Sequence, residues 1–272
     1  MSRLSMNELT TYRWSFEEDV RQYHAAGFEG IRVWREKLAD YGEEKGIELL
    51  AEMGLSVSTL MWAGGFTGSD GRSHSDAIDD GLSAIRLAAE LQAGCLVVHS
   101  GARASHTQNH ARRLLRLALK NMLPLAADLG VVLALEPMHA GCAAGWTFLT
   151  DLDEALEVVH SFDSESLKIT FDSYHLTHDE TILQRLPDLV SSIALVQLGD
   201  ARNVPRGEQN RCRLCEGLLP LDRVVSTLVD SGYNGFFDIE LMGEDIESAD
   251  YHSLLAHSRQ TFDELLGSAQ TK

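Results

Sequence analysis

The chain has 272 residues, 44% hydrophobic and 24% charged, close to the globular average, which excludes wholesale disorder. With 41 acidic against 23 basic residues it carries a formal charge of −18, so a nucleic-acid partner gripped by phosphate neutralisation is excluded. No apolar run reaches the ~18 residues a transmembrane helix needs, and no membrane association is expected.

The N-terminal stretch MSRLSMNELTTYRW lacks the apolar segment of a secretory signal. Four cysteines are too few for a disulfide framework, so a cytoplasmic location is expected.

In chain order, strands are expected near residues 3–8, 29–34, 55–62, 95–100, 131–136, 167–172, 192–198 and 235–241. Helices are expected near 15–26, 43–53, 75–92, 106–129, 150–160, 179–187, 220–231 and 250–266. The first strand is weakly marked, and the chain starts almost at it. A recurring unit supports the rest: a helical pattern closes on a glycine and an apolar strand follows. Gly27, Gly54, Gly94, Gly130 and Gly232 are the expected caps, since glycine takes φ > 0 without a Cβ clash. Pro124 predicts a kink or break in the long 106–129 pattern. The strands CLVVHS, VVLALE, SIALVQL and FFDIEL are apolar throughout, as in a parallel sheet covered by helices on both sides. Eight alternating units fit one (β/α)8 barrel, for which about 250 residues is usual. The whole chain, 1–272, is therefore read as one TIM-barrel domain. An open doubly wound sheet is the alternative, but no G-x-G-x-x-G follows the first strand, and GGFTG (64–68) has the wrong spacing.

Barrel active sites lie at the C-terminal ends of the strands. The fifth run ends in Glu136, the sixth in Asp172, the seventh in Gln197 and the eighth in Glu240. The fourth ends in His99. Three carboxylates brought together repel and are costly to desolvate, which a divalent cation would relieve. The oxygen-only set Glu136, Asp172, Gln197 and Glu240 favours Mn²⁺ or Mg²⁺, with Zn²⁺ or Co²⁺ as further candidates.

The strings LALEPMHA, ITFDSYHL, ALVQLGDAR and GYNGFFDIELMG resemble the metal-binding strands of the sugar phosphate isomerase/epimerase family. These are xylose isomerase-like TIM barrels that include ketose 3-epimerases and inosose and dehydroshikimate dehydratases. The resemblance implies the same four metal ligands, although Gln197 stands where many relatives have histidine. It also implies a second role for Glu136 and Glu240 as the acid/base pair of an enediolate mechanism on a small sugar, polyol or keto acid. His175, three residues after Asp172, matches the family's substrate-binding histidine. Arg202 is the expected substrate arginine, with Arg206 and Arg211 as competitors in the same loop. His99 and Trp62 are further substrate-binding candidates, and Trp34 and Trp146 are candidate pocket walls. Relatives commonly form homo-oligomers, so one is expected.

Residues 199–219 are long for a βα loop and are expected to form a lid. Cys212 and Cys215 within it lack the second ligand pair of a structural zinc and are read as free thiols. A metal-dependent dehydratase of the inosose or dehydroshikimate type is the alternative enzyme. Phosphodiester hydrolysis of the endonuclease IV kind needs histidines where Trp34 and Trp62 stand. A ligand-binding barrel without catalysis is the remaining class.

Overall fold

The computed structural model describes residues 3–270 apart from residue 180. The strands are β1 (Arg3–Asn7), β2 (Gly30–Trp34), β3 (Ser56–Gly64), β4 (Leu96–His99), β5 (Leu133–Leu135), β6 (Leu167–Asp172), β7 (Ile193–Leu198) and β8 (Phe236–Ile239). All pairs are parallel, and β8 returns to β1 to close the barrel. The helices are α1 (Phe16–Ala25), α2 (Arg35–Tyr41), α3 (Glu43–Met53), α4 (His74–Glu90), α5 (Gln108–Leu129), α6 (Leu152–His160), α7 (Ser173–Leu176), α8 (Thr181–Leu189), α9 (Leu221–Asp230), α10 (Glu244–Glu247) and α11 (Tyr251–Gln270). The open-sheet alternative is therefore excluded. The short α2, α7 and α10 go beyond the eight helices expected from periodicity. Among the described residues, no helix is long and apolar enough to cross a membrane.

Strand period sorts the side chains. Alternate residues such as Leu4, Ile31, Val33, Val98, Leu135 and Phe237 join the large apolar layer between sheet and helices. The other set faces the barrel interior. Cys95, Val97, Ala134, Leu195 and Phe236 form a separate small apolar cluster there. Two residues further along the same strands come His99, Glu136, Gln197 and Asp238. The interior is thus apolar at the floor and polar at the C-terminal mouth. Gly30 makes room for this floor: a Cβ there would lie 2.6 Å from the Phe236 ring.

Two local expectations change. Gly27, Gly54, Gly130 and Gly232 do adopt left-handed φ. Gly94 does not; Gln92 (φ 50°) makes that turn, and Gly94 instead lets the Ser58 carbonyl approach to 2.6 Å of where a Cβ would sit. Pro124 neither breaks nor divides α5, which runs unbroken through it. The buried face of Leu115, Leu119, Met122 and Ala126 supplies packing that outweighs one missing N–H bond.

Candidate metal and catalytic centre

The sheet ladder aims the strand ends at one another. Asp172 on β6 pairs in register with Gln197 on β7, and Gln197 with Asp238 on β8. Glu136 and Glu240 continue their strands by one residue, their N–H groups donating to the Val98 and Leu198 carbonyls. The result is a cluster of His99, Glu136, Asp172, His175, Gln197 and Glu240, all buried.

Three features of this cluster lay outside the sequence reading: Arg32, Arg211 as its central cation, and Asp238. Arg211 donates to both oxygens of Asp172 (3.2 and 2.9 Å) and to Glu240 Oε1 (3.0 Å), with its guanidinium 4.5 Å from the Tyr174 ring centroid. Arg32 Nη1 donates to Glu240 Oε2 at 2.5 Å and lies 3.7 Å from Asp238. Glu240 Oε2 also accepts from Asn7 Nδ2 (2.9 Å) and Gln197 Nε2 (2.6 Å). Asp238 is bonded by Ser5 Oγ at 2.6 Å. A charged residue within the apolar run GIRVW, and an aspartate two residues before Glu240 on the same strand face, were the available signals.

Glu136 is less encumbered: His99 Nε2 lies 2.9 Å from its Oε2. Burial alone would raise its pKa, but the hydrogen bond from His99 and the charge of Arg32 hold it down to about 2. Burial, then the charge of Glu136, raises Asp172, against the pull of Arg211. Burial lifts Asp238 to about 7. Burial, reinforced by the Arg211 charge, lowers His175 to about 3, so its imidazole is neutral. Its Nδ1 lies 3.7 Å from Cys142 Sγ, and that thiol reaches the His139 carbonyl at 3.5 Å. A thiol donating to the carbonyl leaves sulfur to accept from Nδ1–H, so His175 Nε2 turns a lone pair toward the cluster.

Glu136, Asp172 and His175 each present one ligand atom, and these lie within 4.8 Å of one another. Gln197 Oε1 is buried and has no hydrogen-bond partner. Four carboxylates (Glu136, Asp172, Asp238, Glu240) face two guanidiniums (Arg32, Arg211), an excess of two negative charges when all are ionised.

Other candidates fall outside the cluster. Arg202 is exposed and paired with Asp245 (2.5 Å) and Glu216 (3.3 Å). Arg206 is exposed in the same loop, and the central position belongs to Arg211. The loop itself is pinned by Asp200, which accepts from the N–H groups of Gly217 (2.9 Å) and Leu219 (3.1 Å). All four cysteines are free thiols. Trp62 and Trp146 meet His99 in a triangle of ring centroids 5.2–5.8 Å apart. Trp34 stands apart from it, beside Lys37.

A closed parallel barrel whose strand ends converge on buried carboxylates defines a (β/α)8 protein with its chemistry at the C-terminal mouth. The family model described as the xylose isomerase-like TIM barrel matches residues 20–264, and the chain belongs to that family. A solved protein from Sinorhizobium meliloti 1021 is similar at 24% identity over 96% of this chain and 98% of that one (TM-score 0.86). The IolI protein, described with a zinc atom, is 18% identical over 98% and 99% of the two chains (TM-score 0.84). An L-ribulose 3-epimerase is 17% identical over 100% and 96% (TM-score 0.81).

Proposed function

We propose that this protein is a divalent-metal-dependent isomerase or epimerase of a small sugar, polyol or keto acid. The observation that carries the reading is the convergence of five strand ends on one buried cluster with an excess of negative charge and an unanswered Gln197 carbonyl oxygen. That donor chemistry fits a divalent ion. Glu136, Asp172, His175 and Gln197 would hold it, with Glu240 on the facing wall. The sequence-based set had Glu240 in place of His175; Glu240 is already occupied by four donors from this chain. Entry of an imidazole nitrogen moves the preference from Mg²⁺ toward Mn²⁺, Co²⁺ or Zn²⁺. The zinc described for IolI, and the epimerase among the similar structures, agree with this reading.

A divalent ion bound there supplies a Lewis acid for a substrate carbonyl. The residues do the rest. Glu136, held ionised, takes the proton from the carbon next to the carbonyl. The C–H electron pair becomes the C=C bond of an enediolate, and the carbonyl oxygen takes the charge. Arg211, which bridges Asp172 and Glu240, would be the cation to neutralise that oxygen. Glu136 returning the proton to the former carbonyl carbon, while the hydroxyl proton of the deprotonated carbon passes to the former carbonyl oxygen, gives isomerisation. Epimerisation requires Arg211 to leave Oε1 and Glu240 to take up a proton from solvent there; Glu240 then delivers it to the opposite face and Glu136 returns its own proton to solvent.

The test is solvent exchange. Protein stripped by chelator and reloaded with Mn²⁺ is incubated in D₂O with ketoses, and the sugar is read by NMR. Deuterium at the carbon next to the carbonyl, lost on chelation, is the expected result. Asp172→Asn should retain less metal after dialysis. No exchange with any ketose under any metal overturns the reading, and a conjugated-enone absorbance in its place would assign the dehydratase.

A further inference from the structure

A cavity of about 470 Å³ opens beside the cluster, walled by Trp62 and Trp146 and meeting the cluster at His99. Its size lies within the ~300–1,000 Å³ that encloses a drug-sized ligand, more than one sugar ring requires. The carboxylates themselves are buried behind His99 and do not line it. A substrate whose reacting carbon reaches Glu136 therefore leaves most of this space to whatever is attached to the reacting ring.

The lining says what that attachment is. Arg35 and Arg72 are its cations, and both are already answered. Arg35 makes a two-point pair with Asp80 (3.2 and 2.8 Å) and also donates to the Trp62 carbonyl. Arg72 pairs with Asp70 (2.7 Å) and Asp80 (3.0 Å) and donates to the Gly64 carbonyl. Glu36 and Glu43 also line the space, so its two cations face four carboxylates. A phosphate or carboxylate would have to break a formed pair and then face a net negative wall. A neutral group pays neither cost. The indole faces carry negative quadrupole charge, which suits the slightly positive C–H faces of a sugar. Ser69 and the backbone of Gly65 and Gly101 supply polar edges for hydroxyls.

We infer that the cavity walled by Trp62 and Trp146 is a subsite for a second, uncharged ring, so that the substrate is a neutral glycoside or disaccharide rather than a free or phosphorylated monosaccharide. This rests on the isomerase reading for which end reacts, but its binding test does not.

Calorimetric titration of the intact protein compares glucose, glucose 6-phosphate, and three neutral glucosides: maltose, cellobiose and phenyl β-D-glucoside. At least one glucoside should bind 10-fold or more tighter than glucose, and glucose 6-phosphate should bind no better than glucose. Trp146→Ala and, as a milder change, Trp146→Phe should reduce that preference progressively. Changes in tryptophan fluorescence on adding the preferred glucoside to the unaltered protein give a second readout should the alanine variant not fold. Glucosides no tighter than glucose, or glucose 6-phosphate tighter than all of them, overturn the proposal. If the glucoside preference holds but neither a free ketose nor a glucosyl ketose such as maltulose exchanges deuterium, the subsite stands and the isomerase reading falls.

Discussion

Two buried charge clusters sit on the same rim of the barrel and resolve their charge differently. Beside β1, Glu8 and Asp19 face one ammonium, Lys37, at 2.5 Å from Asp19. Burial and then the charge of Asp19 push Glu8 well above the usual carboxylate range. Its Oε1, otherwise without a partner, becomes a donor to Asp19 once protonated. Lys37 also caps the carbonyls of Glu8 and Thr11, and the Trp34 N–H donates to Glu8 Oε2. Every charge there is answered by the protein or by a proton. At β5–β8, Asp238 takes up part of the excess by its raised pKa, yet Glu136 stays ionised and Gln197 Oε1 stays unanswered. The first cluster is a tie between β1, α1 and α2. The second keeps an ionised carboxylate and an unanswered acceptor, the features on which the proposed reactivity rests.

The largest expected effect lies in the second cluster. Glu136→Gln should cut deuterium exchange by about 10²–10⁴-fold. The fold should survive, because among the described residues the one side chain bonded to Glu136 is His99, whose ring nitrogen can accept from an amide instead. Exchange within threefold of the parent rate would return Glu136 to the structural class. Next in size is Arg32→Met, which leaves Asp238 without its buried cation and Glu240 with Arg211 alone, and should cost about 3–5 kcal/mol in urea denaturation. Lys37→Met should cost less, because Glu8 and Asp19 can take up a proton, and its deficit should shrink as pH falls. Equal losses at every pH would erase the contrast between the two clusters.

The barrel was legible because the later strands read as apolar runs, the weakly marked first one apart, and the rim residues of the last five end them. Glu136, Asp172, Gln197 and Glu240 follow from that alone, and the ladder register brings them together. Arg211 was harder. Four arginines share the loop after β7, and the Asp200 staple and the Arg211 N–H bond to the Met242 carbonyl turn Arg211 inward. Arg32 was hidden differently: one charged residue in an apolar strand reads as an exposed edge until the barrel closes and puts it opposite β8. His175 joins the candidate ligand group because the short α7 folds back over Asp172, a turn that a three-residue spacing does not specify.

The smallest effect tests the proton in the β1 cluster. Glu8 has a folded-state pKa above its unfolded value. Below the unfolded value, about 4.3, both states hold the proton and nothing changes. As pH rises past it, the unfolded chain releases its proton while the folded chain keeps it. The unfolded state then binds fewer protons, so this group lowers stability with rising pH until its folded-state pKa is passed. Asp19, also raised by burial, slopes the same way. Glu8→Gln keeps an N–H donor for Asp19 and removes one titration. At pH 4 the variant should lie within about 1 kcal/mol of the parent, the scale of one hydrogen bond. At pH 8 it should have gained on the parent. Urea denaturation at both values decides it: a variant that loses ground as pH rises would mean Glu8 is ionised in the native protein, and the β1 cluster would then be as charged as the one at the mouth.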